Sequence, residues 1–166
     1  MRFLELNEIW EWCGERSIAL DDGARPADDP SLAHRGRWLY ATGERSGRET
    51  QVAADAVRAL GAWDECLLWI TLVGVWPSGE DWPAFYAWRD ARGEKRSVEV
   101  APGYLFSAGE EDLLRAVLAQ TFENAWDAYV LPSRRNAVLP TRVRASHDEW
   151  VEVQGKERVN FGVAAV

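Results

Sequence analysis

The fold is decided by one stretch of ten residues, Leu67-Leu68-Trp69-Ile70-Thr71-Leu72-Val73-Gly74-Val75-Trp76. Both alternating faces of this stretch are apolar, which predicts a central β-strand that is covered on both sides. Trp69 and Trp76 are seven positions apart, so an extended chain directs them to opposite faces, and we expect both in the core. Pro77 ends the strand, because proline lacks the backbone N–H that a central strand needs.

Helical patterns occur in the sequence both before and after this strand. Apolar residues recur at the helical period, and acidic or capping residues precede the runs. Asn7 is the predicted N-cap of the first helix and Gly14 its end, and the sequence Ser78-Gly79-Glu80-Asp81 fits a capping box for the third. The predicted helices are Asn7–Cys13, Glu49–Leu60, Asp81–Ala91 and Glu110–Ala125.

The remaining ordered segments alternate in the manner of short strands. Residues 142–145 and 150–153 predict an antiparallel pair, with Ser146-His147-Asp148-Glu149 as its turn. The other predicted strands are Arg37–Thr42, Ser97–Val100, Tyr104–Phe106 and Ala128–Leu131. These elements predict an α+β fold, a single compact domain over residues 1–166 with a mainly antiparallel or mixed sheet and three to four helices packed on it. An alternative keeps residues 1–35 as a loosely attached helical extension and residues 155–166 as a tail.

Composition and charge argue against some classes of function. The net charge of −8 argues against a nucleic-acid-binding protein and against adhesion to an anionic membrane, since both need a surplus of Lys and Arg. The first eight residues carry acids where a signal peptide needs an apolar run. Cys13 and Cys66 form no C-x-x-C pair, so we expect free, buried thiols and a cytoplasmic location.

Catalytic signatures are absent from the sequence. It contains no G-x-S-x-G, H-E-x-x-H, Walker or G-x-G-x-x-G motif, which favours a non-enzymatic function without excluding catalysis. Ser146, His147 and Asp148 are adjacent, whereas a catalytic triad converges from separate elements, so they are interpreted as turn residues. The spacing of His and Cys offers no metal ligand set, and no cofactor is expected.

Two tryptophans lie off the apolar stripes of their helices. Trp10 and Trp88 are therefore predicted to be exposed, and exposed tryptophan beside acids is typical of a binding hot spot. The acidic turn at residues 147–149 offers a second candidate contact. The predicted partner-binding residues are Glu8, Trp10, Glu11, Trp88, His147, Asp148 and Glu149.

Three functions compete on this basis. The first is a protein-binding module of the immunity or inhibitor type, which neutralises a basic partner such as a toxin or nuclease through charge complementarity. The second is a small-ligand-binding protein or enzyme with an aromatic pocket, in which Arg35, Arg37 or Arg142 meets an anion. The third is a structural subunit of a homo-oligomer. The sequence favours the first.

Overall fold

The decisive stretch forms strand β3 (Glu65–Leu72), which starts earlier and ends sooner than the sequence predicts. A computed structural model describes residues 1–32, 34–39, 48–76, 79–135, 137–139 and 141–155. A β-bulge between Ile70 and Leu72 shifts the pairing register at the end of β3. Gly74 then adopts a φ of 76°, a left-handed conformation that glycine tolerates, and the chain leaves the sheet.

Four helices and eight strands make up the described part of the chain. The helices are α1 (Leu6–Glu15), α2 (Arg48–Ala59), α3 (Trp82–Asp90) and α4 (Glu111–Glu123). The other strands are β1 (Arg2–Leu4), β2 (His34–Leu39), β4 (Gly103–Ser107), β5 (Asp127–Arg134), β6 (Ala137–Val138), β7 (Thr141–Ser146) and β8 (Trp150–Gly155).

Seven of these strands form one antiparallel sheet in the order β1-β4-β3-β5-β7-β8-β2, and β6 pairs with the end of β5. Strand β3 has β4 on one side and β5 on the other, as its apolar faces predict. The β7–β8 hairpin forms as predicted, with Ser146 opposite Trp150. The sheet is therefore antiparallel throughout the described residues.

The two faces of the sheet carry separate cores. Leu68 of β3 packs with Val52 of α2 and Leu114 of α4, in a large core that also holds the inward side chains of β5, β7 and β8. On the opposite face, Leu67 packs in a smaller core with Ile9 of α1. The predicted double cover of β3 is confirmed, and so is the α+β class of a single compact domain.

Several local predictions are wrong. Glu5, not Asn7, is the N-cap of α1, because the Glu8 carboxylate accepts a hydrogen bond from the Glu5 backbone N–H at 2.8 Å. Gly14 lies inside that helix rather than beyond it. Residues 97–100 form a turn instead of a strand, with the N–H groups of Val100 and Ala101 donating to the Ser97 carbonyl.

Trp76 is also misplaced by the sequence pattern. It is 55% exposed because the strand ends at Leu72, before the apolar run does. Trp69, by contrast, is buried as expected. The predicted strand residues 40–42, the capping residue Ser78 and most of the predicted tail at 155–166 lie outside the described residues. The predicted domain boundaries stay a prediction.

Candidate functional site: an apolar cleft beside Trp10

The cleft opens where β3 extends past its neighbour β4. The two strands pair from Glu65 opposite Ser107 to Trp69 opposite Gly103, where β4 begins. The Ile70 N–H donates to the Pro102 carbonyl at 3.1 Å, just before β4. Residues 71–73 then continue without β4 beside them. A cavity of about 440 Å³ occupies this space.

Three chain segments wall the cleft around the end of β3. Helix α1 contributes one side, the loop at residues 23–25 a second, and the turn before β4 a third. The lining residues are Leu6, Trp10, Gly23, Ala24, Arg25, Trp69, Ile70, Thr71, Leu72, Val73, Val98, Glu99 and Pro102. Most of them are apolar, so the cleft suits an apolar guest with a few polar groups.

Helix α1 presents Trp10 to the cleft because its other face is buried. Ile9, Trp12 and Cys13 face the smaller core, which leaves Trp10 beside the solvent. The C-terminal end of α1 is fixed by Arg16, whose Nη2 donates to the Glu65 carboxylate at 2.5 Å. The same carboxylate accepts from the Trp12 indole N–H at 3.2 Å. The helix that carries Trp10 is thereby held on β3.

The loop at residues 21–26 is closed by its own hydrogen bonds. The Asp21 carboxylate accepts from the N–H groups of Gly23 and Arg25, both at 2.9 Å. Leu20 and Pro26 form a β-bridge at the base of the loop. Arg25 is exposed at the cleft, where it and Glu99 are the charged lining residues. The loop is a formed wall of the site.

Arg89 holds the third wall, the turn at residues 94–102. Its side chain has no solvent exposure, and its guanidinium donates to the carbonyls of Arg96 and Ala101, both at 3.2 Å. It also donates to the Tyr104 hydroxyl. Burial raises the pKa of Tyr104 well above its usual value, so this hydroxyl stays protonated.

A second arginine joins this turn to α1. The Arg96 guanidinium donates to both oxygens of Glu94, and this hydrogen bonding lowers the pKa of the Glu94 carboxyl. Its other nitrogen donates to the carboxylate of Glu5, the N-cap of α1, at 2.7 Å. Two walls of the cleft are thus connected by one side chain. The cleft is preorganised rather than formed by a guest.

Two exposed apolar side chains line this cleft, and two more lie in chain segments that adjoin its lining residues. The large apolar residues that are exposed within the described ranges are Leu6, Trp10, Trp76 and Val100, at 37, 43, 55 and 50% exposure. Leu6 and Trp10 line the cleft, Val100 belongs to the 94–102 turn, and Trp76 follows the lining residue Val73. We call these four residues the apolar rim. Leu6 and Trp10 are one helical turn apart and both line the cleft, and such adjacent exposed apolar residues mark a candidate interaction surface, whereas single ones are ordinary.

The structure treats the two predicted hot-spot tryptophans differently. Trp10 is exposed and lines the cleft. Trp88 is half-buried instead, because its ring packs against Phe3 and Tyr104 with centroids 6.4 and 6.3 Å away. Arg92 covers it further, with Cζ 4.1 Å from the ring centroid. Trp88 does not line the cleft.

The acidic residues predicted beside Trp10 have separate roles. Glu8 closes the N-terminus of α1 through its bond to the Glu5 N–H. Glu11 is exposed on the same helix, next to Trp10. Glu8 is therefore committed to the helix, and Glu11 is available to a partner.

The predicted turn residues lie at the same end of the sheet as the cleft. The Trp76 indole N–H donates to the His147 carbonyl at 3.1 Å, which ties the apolar rim to the β7–β8 turn. Asp148 and Glu149 are exposed there. This contact places acidic side chains beside Trp76.

His147 has a carboxylate partner that sequence reasoning missed. Its Nδ1 lies 2.8 Å from Oδ1 of Asp127, and its backbone N–H donates to the same oxygen at 2.7 Å. Nε2 lies 3.6 Å from Asp148. Asp127 stands twenty residues earlier, at the start of β5, and no local signal links it to the turn. The pair fixes the turn and leaves His147 partly exposed.

The described residues offer few groups for covalent or metal chemistry. They contain no cluster of three or more His, Cys, Asp or Glu side chains that could hold a metal ion. Both cysteines are buried. Burial raises the pKa of Cys13 to about 11 and that of Cys66 well above its usual value, so neither thiol is activated as a nucleophile.

Comparison with known proteins assigns no family to the chain. No family model matches it, and searches of curated proteins and of solved structures found no match. Among the described residues, no helix has the length and apolar character needed to cross a membrane.

Proposed function

We propose that this chain is a protein-binding module that holds a partner with a basic surface at the Trp10 cleft and its apolar rim. The observation that carries the proposal is an exposed tryptophan, Trp10, that lines an apolar cleft together with the exposed side chain of Leu6. Tryptophan is one of the residue types that are enriched at binding hot spots. The cleft would receive an apolar side chain of the partner, and the rim would pack around it.

The surrounding charge favours a basic partner. Glu11 and Glu99 lie beside the cleft, and Asp148 and Glu149 lie in the turn that contacts Trp76. All four are exposed, and the chain as a whole carries −8. An acidic border around an apolar centre accelerates encounter with a basic protein and rejects acidic ones. Immunity proteins and enzyme inhibitors use this arrangement, so they are the class we propose, by analogy alone.

A small organic ligand is the second candidate occupant. The volume of about 440 Å³ lies within the range of ligand pockets, about 300–1,000 Å³. Arg25 and Glu99 would supply the orienting charges for such a ligand. The described lining contains no histidine, and neither His147 nor Asp148 reaches it. Binding without catalysis is therefore the form of this alternative that the cleft favours.

The proposal is tested by comparing capture from source-cell lysate by four forms of the protein. Trp10→Ala and Trp76→Ala each remove one tryptophan of the rim, and Arg115→Gln changes an exposed residue of α4 on the opposite face of the sheet. We expect one basic protein to be captured by the wild type and by Arg115→Gln. The captured protein, once purified, should bind Trp10→Ala about 30-fold more weakly, the effect of losing a hot-spot residue worth about 2 kcal/mol.

Three outcomes would contradict the proposal. The first is a partner that binds Trp10→Ala and Trp76→Ala as tightly as the wild type. The second is a mass well above 18.7 kDa by light scattering that falls to the monomer in Trp10→Ala, which would make the rim a contact between copies. The third is a small molecule that co-purifies with the wild type and is lost in Trp10→Ala. Thermal unfolding of each variant confirms that the folded state is retained.

A further inference from the structure

Four arginines share the sheet face that lies away from α2 and α4. In the pairing register, Arg144 of β7 stands opposite Glu152 of β8, and Glu152 stands opposite Arg37 of β2. Two residues away on each strand, a second row forms: Arg142 of β7 stands opposite Gln154 of β8, and Gln154 stands opposite Arg35 of β2. Because side chains two apart on a strand point the same way, both rows project from one face. We call these four arginines the arginine face.

The opposite side of these strands is fully occupied by core. Val143 and Ala145 of β7 and Val151 and Val153 of β8 have exposures of 0 or 1% in the large core. The strand alternation therefore forces the polar residues to the other face. The placement of the arginines follows from the register and needs no loop rearrangement.

Two of the four arginines already have partners, and they share one carboxylate. Arg142 is buried and donates to the Gln154 side chain at 2.5 Å and to the Ala27 carbonyl at 2.7 Å. The Asp28 carboxylate lies 3.8 Å from Arg142 and 3.6 Å from Arg35. These two guanidinium groups hold the loop at residues 27–29 against the sheet. They support the arginine face but are not its open part.

The other two arginines meet at one aromatic ring. Cζ of Arg37 lies 3.9 Å from the centroid of Trp150, and Cζ of Arg144 lies 5.3 Å from the same centroid. Arg37 is exposed and also contacts Glu152 at 3.2 Å. Two positive charges held near one ring repel each other and draw an anion toward them.

Arg144 is the open donor of this site. Within the described chain it makes ring contacts with Trp150 and Tyr129, at 5.3 and 5.8 Å, and no hydrogen bond or ion pair. A guanidinium has five N–H donors, and a half-buried one is stabilised by acceptors. The Tyr129 hydroxyl is likewise without a hydrogen-bond partner among the described residues. Burial raises the pKa of Tyr129, so this hydroxyl keeps its proton and can donate.

We infer that Arg144, with Arg37 and the Tyr129 hydroxyl, binds the phosphate group of a small phosphate-containing ligand. Phosphate presents several oxygens to donors that approach from different sides, and arginine forks match it with paired hydrogen bonds. Glu152 offsets one of the two arginine charges, so the site retains one positive charge, which attracts an anion. This site is distinct from the Trp10 cleft, and its ligand is independent of the protein partner proposed there.

The test is a titration of the intact protein with phosphate, followed by NMR of the arginine Nε–H and tryptophan indole N–H signals. Ionic strength is held constant with sodium chloride. The two probes are inorganic phosphate and ribose 5-phosphate, a free anion and a phosphate monoester. We expect saturable shifts of Arg144, Arg37 and Trp150 with at least one probe. Tighter binding of ribose 5-phosphate would identify a monoester as the ligand class, and equal binding would identify free phosphate.

Matched variants complete the test. Arg144→Gln should weaken phosphate binding at least about tenfold, since hydrogen bonds to charged groups are the strong ones. Arg144→Lys keeps the positive charge but lacks the paired N–H donors of the guanidinium. Its affinity for phosphate should lie between those of the wild type and Arg144→Gln. Arg115→Gln should bind as the wild type does, and urea unfolding should confirm that the Arg144 variants are folded. The inference is overturned if neither probe gives saturable shifts, or if Arg144→Gln binds phosphate like the wild type. It is also overturned if sodium chloride alone shifts the same signals.

Discussion

The indole N–H of Trp126 donates to the Glu80 carboxylate at 2.7 Å, from a side chain that has no solvent exposure. The same carboxylate oxygen accepts from the Gly74 N–H at 2.8 Å, and the second oxygen accepts from the Trp82 indole at 2.8 Å. One acceptor therefore serves three donors. It fastens the chain after β3, which carries Trp76 of the apolar rim, to the start of α3.

Replacing Glu80 should destabilise the fold through the buried indole. Glu80→Ala leaves the Trp126 N–H without an acceptor, and we expect the free energy of unfolding to fall by about 2 kcal/mol. Trp126→Phe removes the donor, so the double variant should lose less than the sum of the two single losses. Urea unfolding of all four forms measures this coupling. Strict additivity would show that the bond contributes nothing.

Arg89 should be essential to the 94–102 turn. Arg89→Met leaves the carbonyls of Arg96 and Ala101 and the Tyr104 hydroxyl without their donor, and should cost about 3 kcal/mol. Arg92→Met, an exposed arginine of the same segment, should change stability by less than about 0.5 kcal/mol. Limited trypsin digestion gives a second measurement, because release of the turn frees the backbone after Lys95 and Arg96 to enter the protease active site. Equal digestion of both variants would contradict the assigned role of Arg89.

The sequence predicted β3 well because the apolar pattern that indicates this strand lies entirely within the strand itself. A run that is apolar on both faces requires cover on both sides, and Leu67 and Leu68 have it from α1 and from α2 with α4. The same apolar run wrongly predicted that Trp76 is buried, since composition does not reveal that strand pairing ends at Leu72. Strand β1 was missed for the related reason that three residues carry no period and form a strand only by pairing with β4.

The candidate site was partly predictable by the same logic. Trp10 lies off the buried stripe of α1, so its exposure followed from helical period. The same argument failed for Trp88, because Phe3 and Tyr104 cover it from strands that are distant in sequence. The cleft itself depends on where β4 begins relative to β3. Such a relation between two strands is a property of the register, which no single segment encodes.

Alkaline pH should destabilise the protein through its two cysteines. Burial raises both thiol pKa values in the folded state, that of Cys13 to about 11. The folded protein therefore holds these protons more tightly than the unfolded chain, whose thiols have a pKa of about 8.5. The contribution of the protonated thiols to the free energy of unfolding is fully present below the unfolded-state pKa. It is lost as the pH rises from there toward the folded-state pKa. Urea midpoints between about pH 7.5 and pH 10 measure the fall.

The control for this prediction is the Cys13→Ala and Cys66→Ala double variant. Its stability will be lower at neutral pH because two buried side chains are shortened. Its decline with pH over the same range should nevertheless be shallower than that of the wild type. Identical slopes in the two proteins would mean that the thiols are not linked to folding. In the native wild type, both thiols should also resist alkylation at neutral pH.

Two glycines should respond oppositely to the same added methyl group. A Cβ on Gly103 would lie 2.8 Å from Cγ1 and Cδ1 of Ile9 and 2.9 Å from Cβ of Leu4, where α1 and β1 both meet β4. Gly103→Ala should therefore cost about 1–3 kcal/mol by overpacking. Gly14, inside α1, has nothing within 4 Å of the same atom. Gly14→Ala should stabilise the protein by about 0.5–1 kcal/mol, because alanine favours a helix interior. Thermal unfolding measures whether each substitution raises or lowers the stability. If Gly103→Ala left the stability unchanged, α1 would be able to shift on the sheet, and the wall that carries Trp10 would not be fixed.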